Sequence, residues 1–253
     1  MKTVLITGCS SGFGLDTARY FLERGWKVVA TMRTPRADVL PASEHLRVLA
    51  LDVTDPESIR QAIAAAGPID VLVNNAGIGV LNALEGTSMD IAREVFETNT
   101  LGTIAMTQAV LPQFRERRSG VVVNVTSTVT LKPLRLLSVY TASKAAVNAF
   151  TESLALELEP FGVRVRLVLP GRAPETRFGE NARTRMQDGF PDAYAAQVQQ
   201  VFDEWAQLTT ETHGSDVAKA VWRAVNEPDC PMRLPAGEDA LELARAEAVA
   251  DIA

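Results

Sequence analysis

Lys2-Thr3-Val4-Leu5-Ile6-Thr7, followed by Gly8-Cys9-Ser10-Ser11-Gly12-Phe13-Gly14, is the stretch that decides the fold. Its first six residues read as a short, fully buried strand. They run straight into a glycine-rich turn, and Leu15 to Arg24 then carries a helical pattern that Gly25 ends. Strand, glycine turn and helix in that order make a dinucleotide-binding unit. The glycines let the backbone approach a pyrophosphate, and the helix N-terminus stabilises its charge. The spacing is Gly-x-x-x-Gly-x-Gly, not Gly-x-Gly-x-x-Gly. Taken alone, these glycines also fit an ordinary β–α turn.

The pattern repeats along the chain. Trp26 to Thr31 reads as the second strand, and it ends Thr31-Met32-Arg33 with no carboxylate to hold a ribose 2′-hydroxyl. Arg33 can instead pair with a 2′-phosphate through its planar fork, and Ser11 can add a contact. That favours NADP(H), with NAD(H) as the alternative if Arg33 is only a solvated arginine on a loop shared with Arg36. Leu46 to Leu51 is the third strand, and Thr54 or Asp55 caps a helix that Pro56 opens. Ile69 to Val73 is the fourth strand, running into Asn74-Asn75-Ala76-Gly77. Those small and amide residues suit a backbone that a ligand approaches closely, or simply a turn.

Met89 to Arg118 is helical, with a kink expected near Asn99-Thr100-Leu101-Gly102. The apolar run Val121 to Val125 is the fifth strand and ends at Ser127. A helix carrying Tyr140 runs to about Glu159, and Val163 to Leu169 is the sixth strand, ending at Pro170-Gly171. Asp216 to Glu227 is helical, Arg233 to Ala236 forms a short last strand, and the tail from Asp239 is helical. Six alternations of strand and helix imply an α/β doubly wound parallel sheet, a Rossmann fold with helices on both faces. The site is then expected along the carboxyl ends of the strands. With no repeat or linker, residues 1–253 read as one domain.

Chemistry enters at Tyr140-Thr141-Ala142-Ser143-Lys144. A tyrosine and a lysine four residues apart share a helix face, and the ammonium is expected to lower the phenol's pKa toward working pH. Such a phenol can exchange a proton with a substrate oxygen, and Ser127 can bond the same oxygen. Taken alone, a Tyr-x-x-x-Lys pair also fits a solvated helix face. Residues from Arg177 to about Gln207 break the rhythm with Phe178, Met186, Phe190, Tyr194, Phe202 and Trp205. They read as a substrate lid over about residues 177–210, or as an amphipathic surface pair. Leucines between Ser127 and Tyr140 suggest an apolar substrate of moderate size. Arg135, Arg172, Arg177, Arg183 and Arg185 would suit an acidic one, or form a salt-bridged surface.

Composition excludes other classes. A net charge of −6 disfavours a nucleic-acid partner. With only Cys9 and Cys230, and with His45 and His213 isolated, neither a disulfide framework nor a metal centre is expected. No apolar run approaches a membrane span, and the first strand begins almost at Met1, so a cytoplasmic protein without a signal segment is expected.

Together these motifs resemble the short-chain dehydrogenase/reductase family, in its order and spacing, from Thr7-Gly8 to Pro170-Gly171. The resemblance implies a catalytic tetrad of Asn99, Ser127, Tyr140 and Lys144, and hydride transfer between a nicotinamide ring and a carbonyl or alcohol carbon. Tyr140 would pass the proton, Ser127 hold the substrate oxygen, and Lys144 tune Tyr140 and hold the nicotinamide ribose. Asn99 would keep a water for proton relay. The cofactor contacts implied are Thr7, Gly8, Ser10, Ser11, Gly12, Phe13 and Gly14 at the phosphate turn, and Arg33, Asp52 and Val53 around the adenosine. Asn74 to Gly77, with Asn75, Ala76 and Gly77 in contact, lie beside them. Pro170, Gly171, Ala173 and Thr176 would flank the nicotinamide. Two features depart from the family: Thr176 follows Gly171 by five residues where four is usual, with Arg172 and Pro174 between, and Phe13 replaces a smaller aliphatic residue. The ending Ala30-Thr31-Met32-Arg33 resembles NADP-preferring members, and together with Thr7-Gly8-Cys9-Ser10-Ser11-Gly12 it resembles the carbonyl, hydroxysteroid and retinol dehydrogenase-like reductases. The resemblance also implies a homodimer or homotetramer paired through the helices of Asn99 and Tyr140.

Overall fold

Side chains along the central strands alternate between two apolar clusters. Val4, Ile6, Val71, Val73, Val121 and Val123 fall in one; Leu5, Leu72 and Val122 fall in the other. A strand that buries both faces reads as an unbroken apolar run, and it requires helices on each side. The computed structural model describes residues 1–176, 178–185 and 189–250. Its strands are β1 (Thr3–Ile6), β2 (Lys27–Met32), β3 (Leu46–Ala50), β4 (Val71–Asn74), β5 (Gly120–Val125), β6 (Val163–Pro170) and β7 (Arg233–Ala236). They form one parallel sheet in the order β3-β2-β1-β4-β5-β6-β7. The chain is one Rossmann-like domain.

Helices α1 (Gly12–Leu22), α2 (Pro56–Ala66), α3 (Met89–Phe96), α4 (Gly102–Arg117) and α5 (Ser138–Leu158) come from the first part of the chain. They are followed by α6 (Phe178–Arg183), α7 (Ala195–Ala206), α8 (Gly214–Asn226) and α9 (Glu238–Ala250). Phe21 of α1 and Val217 and Val221 of α8 cover one face of the sheet. Ile59 of α2, Met106 and Phe114 of α4 and Leu154 of α5 cover the other. Phe21 and Phe114 are fully buried, and each contributes on the order of 1.5–3 kcal/mol by leaving water. Strand order reverses between β1 and β4, which opens a crevice at their carboxyl ends.

A buried polar ladder sets the height of the helices over that crevice. Asn74 and Asn124 are register partners on β4 and β5, and Asn74 Nδ2 donates to Asn124 Oδ1 at 2.9 Å. Asn74 Nδ2 also reaches Thr107 Oγ1 of α4 at 3.0 Å, and Asn124 Nδ2 reaches Thr151 Oγ1 of α5 at 2.8 Å. Sliding either helix would leave these buried amides unpaired, at a cost of about 1–3 kcal/mol each.

Several boundaries differ from expectation. α1 starts at Gly12, not Leu15, so the second and third glycines of the turn belong to its first turn. β5 ends at Val125, two residues before Ser127, which instead opens a 3₁₀ turn over Thr128–Thr130. The expected kink is a π-helical turn over Glu97–Leu101, between α3 and α4. β7 is present, and α8, α9 and the Pro56-led α2 match their expected segments. Among the described residues, no helix is long and apolar enough to cross a membrane.

Candidate active site

The phosphate turn is shaped by the loop after β4. Gly8 and Gly12 take positive φ values of 75° and 57°, conformations that favour glycine. A Cβ at Gly14 would fall 2.4 Å from both Gly8 O and Asn75 Nδ2. Asn75 explains that tightness: its Nδ2 donates to Thr7 O at 2.9 Å and Gly8 O at 3.2 Å. Thr7 Oγ1 returns the contact, accepting from Asn75 N at 3.0 Å and Ala76 N at 2.9 Å. Asn75 therefore braces the turn from beneath, a task that the sequence did not reveal. Ser11 is the N-cap of α1 and makes no side-chain cap bond, so the first-turn amides are left for an anion. Ser10, Ser11, Gly12 and Phe13 line the crevice.

At the far end of the crevice, Arg33 follows β2 and is exposed, while Asp52 and Val53 follow β3. Asp52 Oδ1 accepts from Thr54 N at 2.9 Å and Thr54 Oγ1 at 2.7 Å. Those bonds, with the charge of Arg33, hold the carboxyl below its ordinary range. Arg36, a loop arginine by sequence, donates through Nη2 to Ser10 O at 3.0 Å and brings a second guanidinium to the turn.

The tetrad residues converge on one buried place. Tyr140 and Lys144 sit on α5 with 7% and 5% of their surfaces exposed, which removes the solvated-face reading of the pair. Lys144 Nζ donates to Val125 O at 3.0 Å and stands 6.0 Å from the Tyr140 ring centre. Ser127 Oγ accepts from Val129 N at 3.3 Å, and its hydroxyl is close enough to the Tyr140 phenol to oppose the rise in its pKa. Asn99, in the π-helical turn, accepts from Ile78 N at 2.8 Å. Its Nδ2 donates to Ile78 O at 2.9 Å and Ser143 Oγ at 3.0 Å. The carboxamide thus clamps the loop after β4 to α5, with one Oδ1 lone pair uncommitted.

One expectation is reversed. Lys144 was expected to lower the phenol's pKa, but burial raises Tyr140 above its ordinary value, against the smaller opposing effect of the Ser127 hydroxyl. Burial also pulls Lys144 down to about 8. On a solvated helix face, charge attraction between the pair would act alone. In the fold both groups are desolvated, and desolvation is the larger effect.

On the other side of the crevice, Gly171 N donates to Thr212 Oγ1 at 2.9 Å. Thr176 Oγ1 donates to Ala173 O at 2.8 Å, and Thr176 comes close enough that a Cβ at Gly12 would sit 3.6 Å from it. The extra residue between Gly171 and Thr176 still brings Thr176 against the phosphate turn. Phe178, Ala182 and Trp205, after that segment, line the cleft. Phe178 packs on Tyr140 with ring centres 5.4 Å apart, and a Cβ at Gly79 would fall 2.6 Å from its Cζ. Val201 of α7 is buried against Leu81 and Leu136, so α7 also packs as a structural helix. Arg177, Met186 and the side chain of Arg183 lie outside the described residues. The remaining arginines of that set are paired: Arg185 with Glu94 at 2.7 Å, Arg135 with Glu204 at 3.7 Å and Arg172 with Glu211 at 3.8 Å.

The residues fit a dinucleotide. Gly8 and Gly14 leave no room for a Cβ, the first-turn amides of α1 lack a side-chain cap, and the cleft measures about 1380 Å³. One small ligand takes roughly 300–1,000 Å³, so the cleft has room for a cofactor and a second molecule.

Comparison with known proteins agrees with the geometry. The sequence profile described as short chain dehydrogenase matches residues 2–187. Human retinol dehydrogenase 8 is 41% identical over 181 residues, covering 67% of this chain and 58% of its own length. The chain therefore aligns with little more than half of that relative. A short-chain dehydrogenase from Streptomyces avermitilis superposes with a TM-score of 0.83 at 33% identity, over 99% of this chain and 94% of that one. The closed form of a serine dehydrogenase complexed with NADP⁺ superposes at 0.79 with 29% identity, over 94% of this chain and 95% of its own.

Proposed function

The chain belongs to the short-chain dehydrogenase/reductase family, an NAD(P)-dependent oxidoreductase family, and from that premise we propose that it reduces the carbonyl of an apolar small molecule with NADPH. When bound, the nicotinamide cofactor supplies the hydride. Tyr140 gives its proton to the carbonyl oxygen, Ser127 bonds the same oxygen, and Lys144 holds a positive charge beside them. Asn99 keeps Ile78 and Ser143 in place around Lys144. The observation that carries this reading is the pair of hydroxyls, Ser127 and Tyr140, both buried and both on the wall of a cleft large enough for two molecules.

An apolar substrate is favoured over an acidic one because Arg135, Arg172 and Arg185 already face carboxylates, while Leu137, Phe178 and Trp205 line the cleft. Its relative named for retinol fits the same class. The test compares NADPH oxidation with a neutral aliphatic or aromatic ketone against a matched keto acid. The neutral compound is expected to react at least tenfold faster in kcat/KM; preference for the acid would overturn the apolar reading.

For the cofactor, Arg33 at the end of β2, Arg36 held on Ser10 and the absence of a carboxylate at that strand end support NADP(H) over NAD(H). Arg33→Ala is expected to weaken NADPH about tenfold and leave NADH nearly unchanged, followed by fluorescence titration. Equal weakening of both would remove the phosphate contact.

A further inference from the structure

β6 ends at Pro170, whose register partner is Ala236 at the end of β7. Beyond that point the backbone amides have no strand to bond, and each needs another partner. They find it in residues far along the chain. Gly171 N donates to Thr212 Oγ1 at 2.9 Å, and Arg172 N donates to Asp239 Oδ2 at 2.6 Å. Thr212 N donates to Arg172 O at 2.8 Å. Thr212 is fully buried, and its hydroxyl lies 2.7 Å from Asp239 Oδ1. A Cβ at Gly171 would fall 2.0 Å from Asp239 Oδ2, so Gly171 is a glycine because this carboxylate rests on it. Asp239 stands in the first turn of α9, where the helix N-terminus favours its charge.

We infer that Asp239, through Thr212, is the positioning residue for the Gly171–Ala173 segment and thereby for the nicotinamide end of the cofactor. This rests on the dinucleotide reading of the cleft. Gly171, Arg172, Ala173 and Asp239 all line it. The strand order sets their place. Arg33 and Asp52 follow β2 and β3 at one side of the sheet, whereas this segment follows β6 at the other. A change at Asp239 should therefore be felt at one end of a bound dinucleotide and not at the adenosine end.

The test measures binding of NADPH and of adenosine 2′,5′-bisphosphate to the wild type, Asp239→Ala and Asp239→Asn. The alanine variant is expected to bind NADPH about tenfold more weakly, with the bisphosphate unchanged. The asparagine variant should recover most of the loss, because its amide oxygen accepts from Arg172 N–H and its amide nitrogen donates to Thr212 Oγ1. NADPH binding undisturbed in the alanine variant overturns the inference. So does parallel loss of both ligands, the mark of general damage, or an asparagine variant no better than alanine. A wild type that binds neither ligand would instead sink the dinucleotide reading itself.

Discussion

Tyr140→Phe is expected to lower the turnover of a ketone by roughly 10³-fold or more while NADPH binds about as tightly as before. The ring's packing survives the change, since Tyr140 sits among Val80, Val95 and Val129 and against Phe178, and phenylalanine fills the same volume. Only the hydroxyl beside Ser127 is lost. Among the described residues lining the cleft, Tyr140 is the only one on α5 that carries a hydroxyl. Single-turnover rates and fluorescence titration of the same preparation separate the two effects. Retained activity within a factor of about ten would remove Tyr140 as the proton donor.

Gly14→Ala is expected to reduce NADPH affinity by about 100-fold, the second largest effect. The new methyl would sit 2.4 Å from Gly8 O and from Asn75 Nδ2, so the turn or its brace must move. Overpacking of this kind costs about 1–3 kcal/mol, and the strain is placed where the pyrophosphate should lie. Gly25→Ala is the control. Gly25 has a φ of 74° but nothing within 4 Å of the added Cβ, so it should lose stability and keep its affinity. Equal affinities in the two variants would show that the cradle does not hold the cofactor.

Much of this was legible in the sequence because it depends on local patterns. Buried strands of a parallel sheet are unbroken apolar runs, and the glycines and the Tyr140–Lys144 spacing are contiguous in the chain. The features that escaped depend on distant partners. Asn75 reads from the sequence as a turn residue or a cofactor contact, and only the packing of β4 beside β1 reveals it as a brace. Asn124 sat unremarked in an apolar run, because its partners Asn74 and Thr151 lie on other elements. Thr212 and Asp239 carry no motif at all. The start of α1 lies earlier than its sequence suggests because glycine is a poor helix former, yet here the ligand-facing first turn requires it. The reversed pKa of Tyr140 had the same origin, since burial cannot be read from a spacing of four residues.

The π-helical turn at Glu97–Leu101 is best understood as a phase shift. In an uninterrupted α-helix, Val95 and Met106, eleven residues apart, would point within about 20° of one another. They do not serve one cluster: Val95 packs beside Tyr140, and Met106 enters the core under the sheet. The wide turn holds roughly one extra residue and rotates the helix beyond it by about 100°. One length of helix can then address the reaction chamber with its first half and the scaffold with its second. A deletion of a single residue there would keep the helix and lose the address.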